Sequence, residues 1–136
     1  MAAAVRHPDY HKTPDANDIT VLILEQPATT KPVDLATPAE MAKLKSVEVV
    51  GFGYNDKNRP LGFGTKRRVT VPVAAIQRKA TDDLAEAASR LGFDPAFEFV
   101  AGRKLLGKDS CNGDSGGPVY LVTDKGAKLV GLTSRA

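Results

Sequence analysis

The chain of 136 residues is 42% hydrophobic and 26% charged with a net charge of +3, a balance that suits one globular domain. It excludes a helical membrane span, because no apolar stretch approaches the roughly 20 residues needed. It also disfavours a nucleic-acid surface: the densest basic run, Lys66-Arg67-Arg68, lacks interleaved aromatics and reads as a solvated strand edge.

In chain order, residues 19–24 form a continuous apolar run that predicts a strand buried on both sides. Residues 26–42 read as a Pro- and Thr-rich connection, 46–52 as a strand and 53–64 as a turn-rich loop. Residues 65–76 predict a long strand, with an edge or bulge at Pro72 because proline cannot donate to a ladder. Residues 81–91 predict the one helix, with Thr81 as cap, Asp82 and Asp83 in its first turn and Gly92 as its stop. Three more strands follow at 97–101, 118–123 and 127–133, the last two joined by a turn at Asp124-Lys125-Gly126. Many short strands and one helix predict an all-β sandwich or barrel. No internal repeat or low-complexity block interrupts this order.

The chemistry concentrates in residues 108–118, Lys-Asp-Ser-Cys-Asn-Gly-Asp-Ser-Gly-Gly-Pro. A serine hydroxyl attacks a carbonyl only when a base takes its proton and donors receive the charge developing on oxygen. Ser115 is the candidate nucleophile. Flanking glycines let main-chain amides approach a substrate, so the N–H groups of Gly113 and Ser115 are candidate oxyanion donors. The same residues satisfy Gly-x-Ser-x-Gly, but the nucleophile elbow of α/β-hydrolases needs a helix after the serine. Here Pro118 and the strand-like Val119-Tyr120-Leu121-Val122-Thr123 follow.

This loop resembles the trypsin-like (chymotrypsin-family) serine proteases, whose signature is very close to Asp-Ser-Cys-x-Gly-Asp-Ser-Gly-Gly-Pro. Further similarities follow in family order: Arg6-His7-Pro8-Asp9-Tyr10 with 17–24 is similar to the segment bearing the catalytic aspartate. Val49-Val50-Gly51-Phe52-Gly53 is similar to a Gly-Trp-Gly strand end, 69–73 to a Val-x-Val-Pro strand, and 131–134 to the strand beside the substrate pocket. The resemblance implies one partial domain over 1–136: the end of the first barrel of a double β-barrel and most of the second. It implies that Ser115 is the nucleophile, Asp18 the buried acid that orients a histidine, and Gly113 an oxyanion donor. Asp109 would be the pocket carboxylate favouring cleavage after Arg or Lys, Ser134 a substrate-binding residue, and Asp114 the partner of a newly cut amino terminus.

The family histidine lies in an Ala-Ala-His-Cys-type segment, and nothing before Asp18 resembles it. His7 and His11 read as solvated loop residues. Cys111, the single cysteine, has no intrachain partner and reads as a small, partly buried thiol; in the family its partner lies beyond Ser134. The expectation is a serine endopeptidase segment truncated at both ends and inactive alone, whose open sheet edges need a complementary chain supplying the first barrel. The alternatives are a noncatalytic homologue that binds a partner, or a truncated reading frame without independent function. A polypeptide is the implied substrate, with no metal, cofactor, nucleic acid or membrane. The start, Met-Ala-Ala-Ala-Val-Arg-His, lacks the apolar core of a signal peptide, whereas the family is mostly secreted or periplasmic.

Overall fold

A computed structural model describes residues 1–10, 16–56, 58, 61–76, 79–80, 92–94, 96–103 and 105–135. The helix expected at 81–91 and His11 lie outside the described residues. The elements are β1 (Ala3–Arg6), β2 (Thr20–Ile23), β3 (Asp34–Leu35), α1 (Pro38–Met41), β4 (Ser46–Gly51), β5 (Arg67–Ile76), β6 (Lys79–Ala80), β7 (Val100–Ala101), β8 (Pro118–Thr123) and β9 (Gly126–Leu132). Strands β1 and β2 form a separate two-stranded sheet. The others form a seven-stranded sheet in the order β3-β9-β8-β4-β5-β6, with β7 also on β5. The β-rich expectation is therefore met.

Alternation builds the core. On β4, Val47 and Val49 point inward, where the antiparallel register sets them opposite Val71 and Val69 of β5; Val119 of β8 lies opposite Val49. Val47, Val49, Val71 and Val119 are buried together with Leu44, and Met41, Phe99, Leu121 and Val130 pack around them. β-branched side chains fit this pleated, two-sided packing. The strand at 46–52 was thus legible almost to the residue.

Pro72 falls in a strand flanked on both sides, since β5 pairs with β4 over 67–72 and with both β6 and β7 at Ala75. Its missing donor points to the side of its carbonyl, which accepts from Gly102 N at 2.7 Å, so the β4 side loses nothing and Val73 N still donates to Lys45 O at 2.9 Å. The expected irregularity lies just beyond it, where the register against β7 shifts between Val73 and Ala75.

The connection expected at 26–42 contains structure: β3 runs parallel to β9, and α1 follows. Thr37 caps α1 in a capping box with Glu40, and Pro38 occupies its first turn, a Thr-Pro-x-Glu signal present in the sequence. Lys128 Nζ on β9 donates to Glu40 Oε1 at 2.7 Å, which ties α1 to the sheet. That bond, with help from the Thr37 N–H, holds the Glu40 carboxyl at about 2, down from 4.5. A carboxyl lowered on folding stabilises the fold above its unfolded value, and this contribution disappears as pH falls through about 2. In urea titrations, Glu40→Gln should therefore be less stable than the parent at pH 7, with the difference vanishing near pH 2. A difference unchanged by acid would contradict this.

The 19–24 expectation needs correction. β2 spans Thr20–Ile23 and is exposed throughout, with Val21 59% and Leu22 57% accessible. Among the described residues its one sheet partner is β1, which is also exposed, so pairing satisfies the backbone while both faces stay open.

Candidate active site

The loop at 108–118 is held by main-chain bonds at both of its sides. Gly116 N donates to Thr133 O at 2.6 Å and Thr133 N to Gly117 O at 2.9 Å, which fastens the loop to the segment after β9. Tyr54 N donates to Asn112 O at 3.0 Å, which fastens it to the segment after β4. Between these anchors the chain turns through Asp114 N to Cys111 O and Gly117 N to Asp114 O. Gly113 has φ +94, in the left-handed region that a side chain disfavours, and a Cβ there would fall 2.9 Å from the Phe63 ring. Phe63 is in turn stacked at a tilt on Tyr54, with ring centroids 5.3 Å apart. Among the described residues, neither the Gly113 nor the Ser115 N–H meets an acceptor, so both are available to a ligand oxygen.

Asp114 is the bracket of this loop. Its Oδ1 accepts from Gly53 N at 2.7 Å and its Oδ2 from Cys111 N at 2.8 Å. Gly51 and Gly53 make room for it, since a Cβ at Gly51 would fall 2.0 Å from Asp114 Oδ1. The carboxylate of Asp114 thus faces two main-chain amides. Gly117 is packed as tightly: an added Cβ would sit 2.5 Å from Val50 O and 2.7 Å from Asp114 O, both backbone atoms that cannot swing aside. Gly117→Ala should consequently cost about 2 kcal/mol in urea unfolding, the usual range for forced overpacking. A change below about 0.5 kcal/mol, ordinary for an open surface site, would refute that packing.

Asp18 stands just before β2 and is exposed, which corrects the buried acid expected there; the open two-stranded ribbon offers nothing to cover it. Its Oδ2 accepts from the Ser134 hydroxyl at 2.9 Å. The Ser115 hydroxyl donates to the Ser134 carbonyl at 3.2 Å. Ser134 thus joins the acid and the serine, a linking role that its sequence position alone did not reveal.

Asp109 is exposed, and its Oδ1 accepts from Ser110 N at 2.8 Å. Its other oxygen faces Gly102, where a Cβ would come within 3.2 Å. Asp18, Asp109 and Ser134 line one open cleft of about 2270 Å³. Ser115 and Gly113 border a separate, smaller depression of about 840 Å³ beside Phe52. At the cleft wall, Arg135 forms a two-pronged ion pair with Glu98, at 2.8 and 3.0 Å, and donates to Gly92 O at 3.1 Å. Sequence reading missed this pair because its members lie far apart in the chain and belong to no motif.

His7 also lines the cleft and is half-buried, not freely solvated: its main-chain N–H donates to Ile19 O and its ring Nδ1 accepts from Asp9 N. Cys111 is a half-buried free thiol, as expected. Among the described residues no group of His, Cys, Asp or Glu is arranged to hold a metal ion, and no helix is long and apolar enough to cross a membrane.

Comparison with known proteins places these features in context. The family model for Trypsin matches residues 1–136. The chain is 32% identical over 130 residues to a trypsin of Saccharopolyspora erythraea, covering 94% of this chain and 52% of that protein. It is 30% identical over 144 residues to the CLIP domain-containing serine protease B15 of Anopheles gambiae, covering 98% of this chain and 38% of the relative. It is also 28% identical over 139 residues to glucanase inhibitor protein 3 of Phytophthora infestans, covering 98% of this chain and 50% of the relative. The chain spans about half the length, or less, of these curated relatives.

Proposed function

Because this chain belongs to the trypsin family and has a partial trypsin-like β-barrel fold, we propose that it is the nucleophile-bearing part of a serine endopeptidase that cleaves peptides after arginine or lysine. Ser115 attacks the scissile carbonyl, and the Gly113 and Ser115 N–H groups receive the oxyanion. Asp18 orients the base and stabilises its protonated form. Asp109 binds the substrate's guanidinium or ammonium in the open cleft, where a charge-assisted pair favours those side chains. The base itself comes from polypeptide outside these 136 residues, either joined to them or supplied by a complementary chain. The observation that carries this reading is the pair of hydrogen bonds at Ser134, one to Asp18 and one from Ser115, which links the acid's segment to the nucleophile loop.

The test is a fluorophosphonate probe, which reports a serine that has been activated by a base. In buffer free of small-molecule bases, the purified chain should remain unlabelled at Ser115. Stoichiometric labelling would place a working base within the chain and overturn the division proposed here.

A second reading, a noncatalytic homologue that binds a partner, draws support from the likeness to two proteins named glucanase inhibitors. It predicts that labelling stays absent even after the base is supplied.

A further inference from the structure

The fold carries the basic run Lys66-Arg67-Arg68 to the edge of the nucleophile loop, where all three residues line the same depression as Gly113 and Ser115. We propose that this depression receives acidic side chains of the polypeptide substrate on the leaving side of the scissile bond, with Lys66 and Arg68 as the groups that bind them. The inference rests on the serine-endopeptidase reading above and adds a second selectivity to it.

Strand register explains the placement. Arg67 and Arg68 open β5 opposite Gly51 and Val50, the last residues of β4. That end of β4 also meets the loop, since Gly53 N donates to Asp114 Oδ1 and Gly117 packs on Val50 O. One strand end therefore sets both the cations and the serine.

The three cations are differently engaged. Arg67 is half-buried and donates to main-chain oxygens, Gly62 O at 2.5 Å and Thr65 O at 3.2 Å, so it contributes charge and not contact. Arg68 is 76% exposed, and its 3.5 Å approach to Glu48 is longer than the roughly 2.7–2.9 Å of a formed charge-assisted bond, which leaves its donors open. Lys66 is exposed and meets no carboxylate among the described residues. Against these cations the depression sets only Glu48 and Asp114, and Asp114 is already engaged by two amides. The surplus positive charge attracts carboxylates.

Direction follows from which residues share a cavity. Asp109 and Ser134 line the large cleft, whereas Gly113 and Ser115 line the depression. A peptide whose arginine meets Asp109 and whose carbonyl meets Ser115 continues past the nucleophile into the depression. That continuation is the leaving part.

The experiment measures fluorescence anisotropy of three labelled peptides on the purified chain: arginine followed by two glutamates, arginine followed by two alanines, and two glutamates followed by arginine. At about 20 mM salt the first should bind about tenfold tighter than the second, the scale of two exposed charge contacts. The third, with its acids on the opposite side, should bind no tighter than the second. At about 0.3 M salt the preference should fall below about twofold, because exposed pairs are screened. Lys66→Ala/Arg68→Ala should abolish the preference, whereas Lys31→Ala/Lys43→Ala, which removes equal charge away from both cavities, should retain it. Circular dichroism checks folding. If Arg68→Ala fails to fold because Glu48 loses its partner, Lys66→Ala alone should still cut the preference at least about twofold. Equal binding of the first two peptides, equal binding of the first and third, or a preference that survives Lys66→Ala/Arg68→Ala overturns the inference. So does displacement of the first peptide by an oligothymidylate of equal charge as readily as by its unlabelled form. Benzamidine competition against the alanine peptide tests Asp109 separately. Displacement without an acidic preference removes this inference alone; no displacement removes the endopeptidase reading as well.

Discussion

Hydrolysis of an arginyl peptide should rise about a million-fold when the chain is assembled with a polypeptide that presents a histidine between Asp18 and Ser115, because loss of a triad base costs about that factor. The factor corresponds to about 8 kcal/mol of transition-state stabilisation. On the proposed mechanism the loop side is in place: Gly113 holds its left-handed turn, Asp114 brackets the loop, and among the described residues the Gly113 and Ser115 N–H groups meet no acceptor. Steady-state assay of a fluorogenic arginyl peptide on the purified assembly gives the answer. Ser115→Ala in that assembly should return the rate to its baseline. A complex that forms stably and does not hydrolyse the peptide would favour the partner-binding reading.

The second large effect concerns selectivity. In the same assembly, Asp109→Asn should lower kcat/KM for an arginyl peptide about a hundredfold to a thousandfold, the scale expected when one partner of a desolvated charge pair is removed. A leucyl peptide should change little or improve. Among the described residues Asp109 makes no ion pair, and its near neighbour Gly102 has no side chain to obstruct it. Arg135, in the same cleft wall, pairs with Glu98. Equal losses for both peptides would show that Asp109 shapes the loop without selecting the substrate.

Local order was the most legible part of the fold. Alternating valines set β4 and β5, and the Gly-rich signature set the nucleophile loop. The short α1 was equally open to reading, since Thr37, Pro38 and Glu40 make a capping box, but proline-rich surroundings disguised it as connection. The burial of β2 was misjudged for a different reason. Apolar sequence reports what a strand is suited to, whereas burial depends on which other surfaces arrive to cover it. The same distinction applies to Asp18, whose candidacy was legible from its segment and whose exposure and bond to Ser134 were not. Links such as Arg135–Glu98 and Lys128–Glu40 depend on how distant strands pack, and no local pattern encodes them.

The β1–β2 ribbon gives the proposed enzyme a safety catch. An isolated pair of strands is marginally stable in water, and this pair carries Asp18 at its entrance with apolar side chains open on both faces. The polypeptide that covers the ribbon would also deliver the base, so one docking event would fix the acid and complete the catalytic group. On the proposed reading, a nucleophile loop without that cover would stay chemically idle, and proteolytic activity would become a property of assembly.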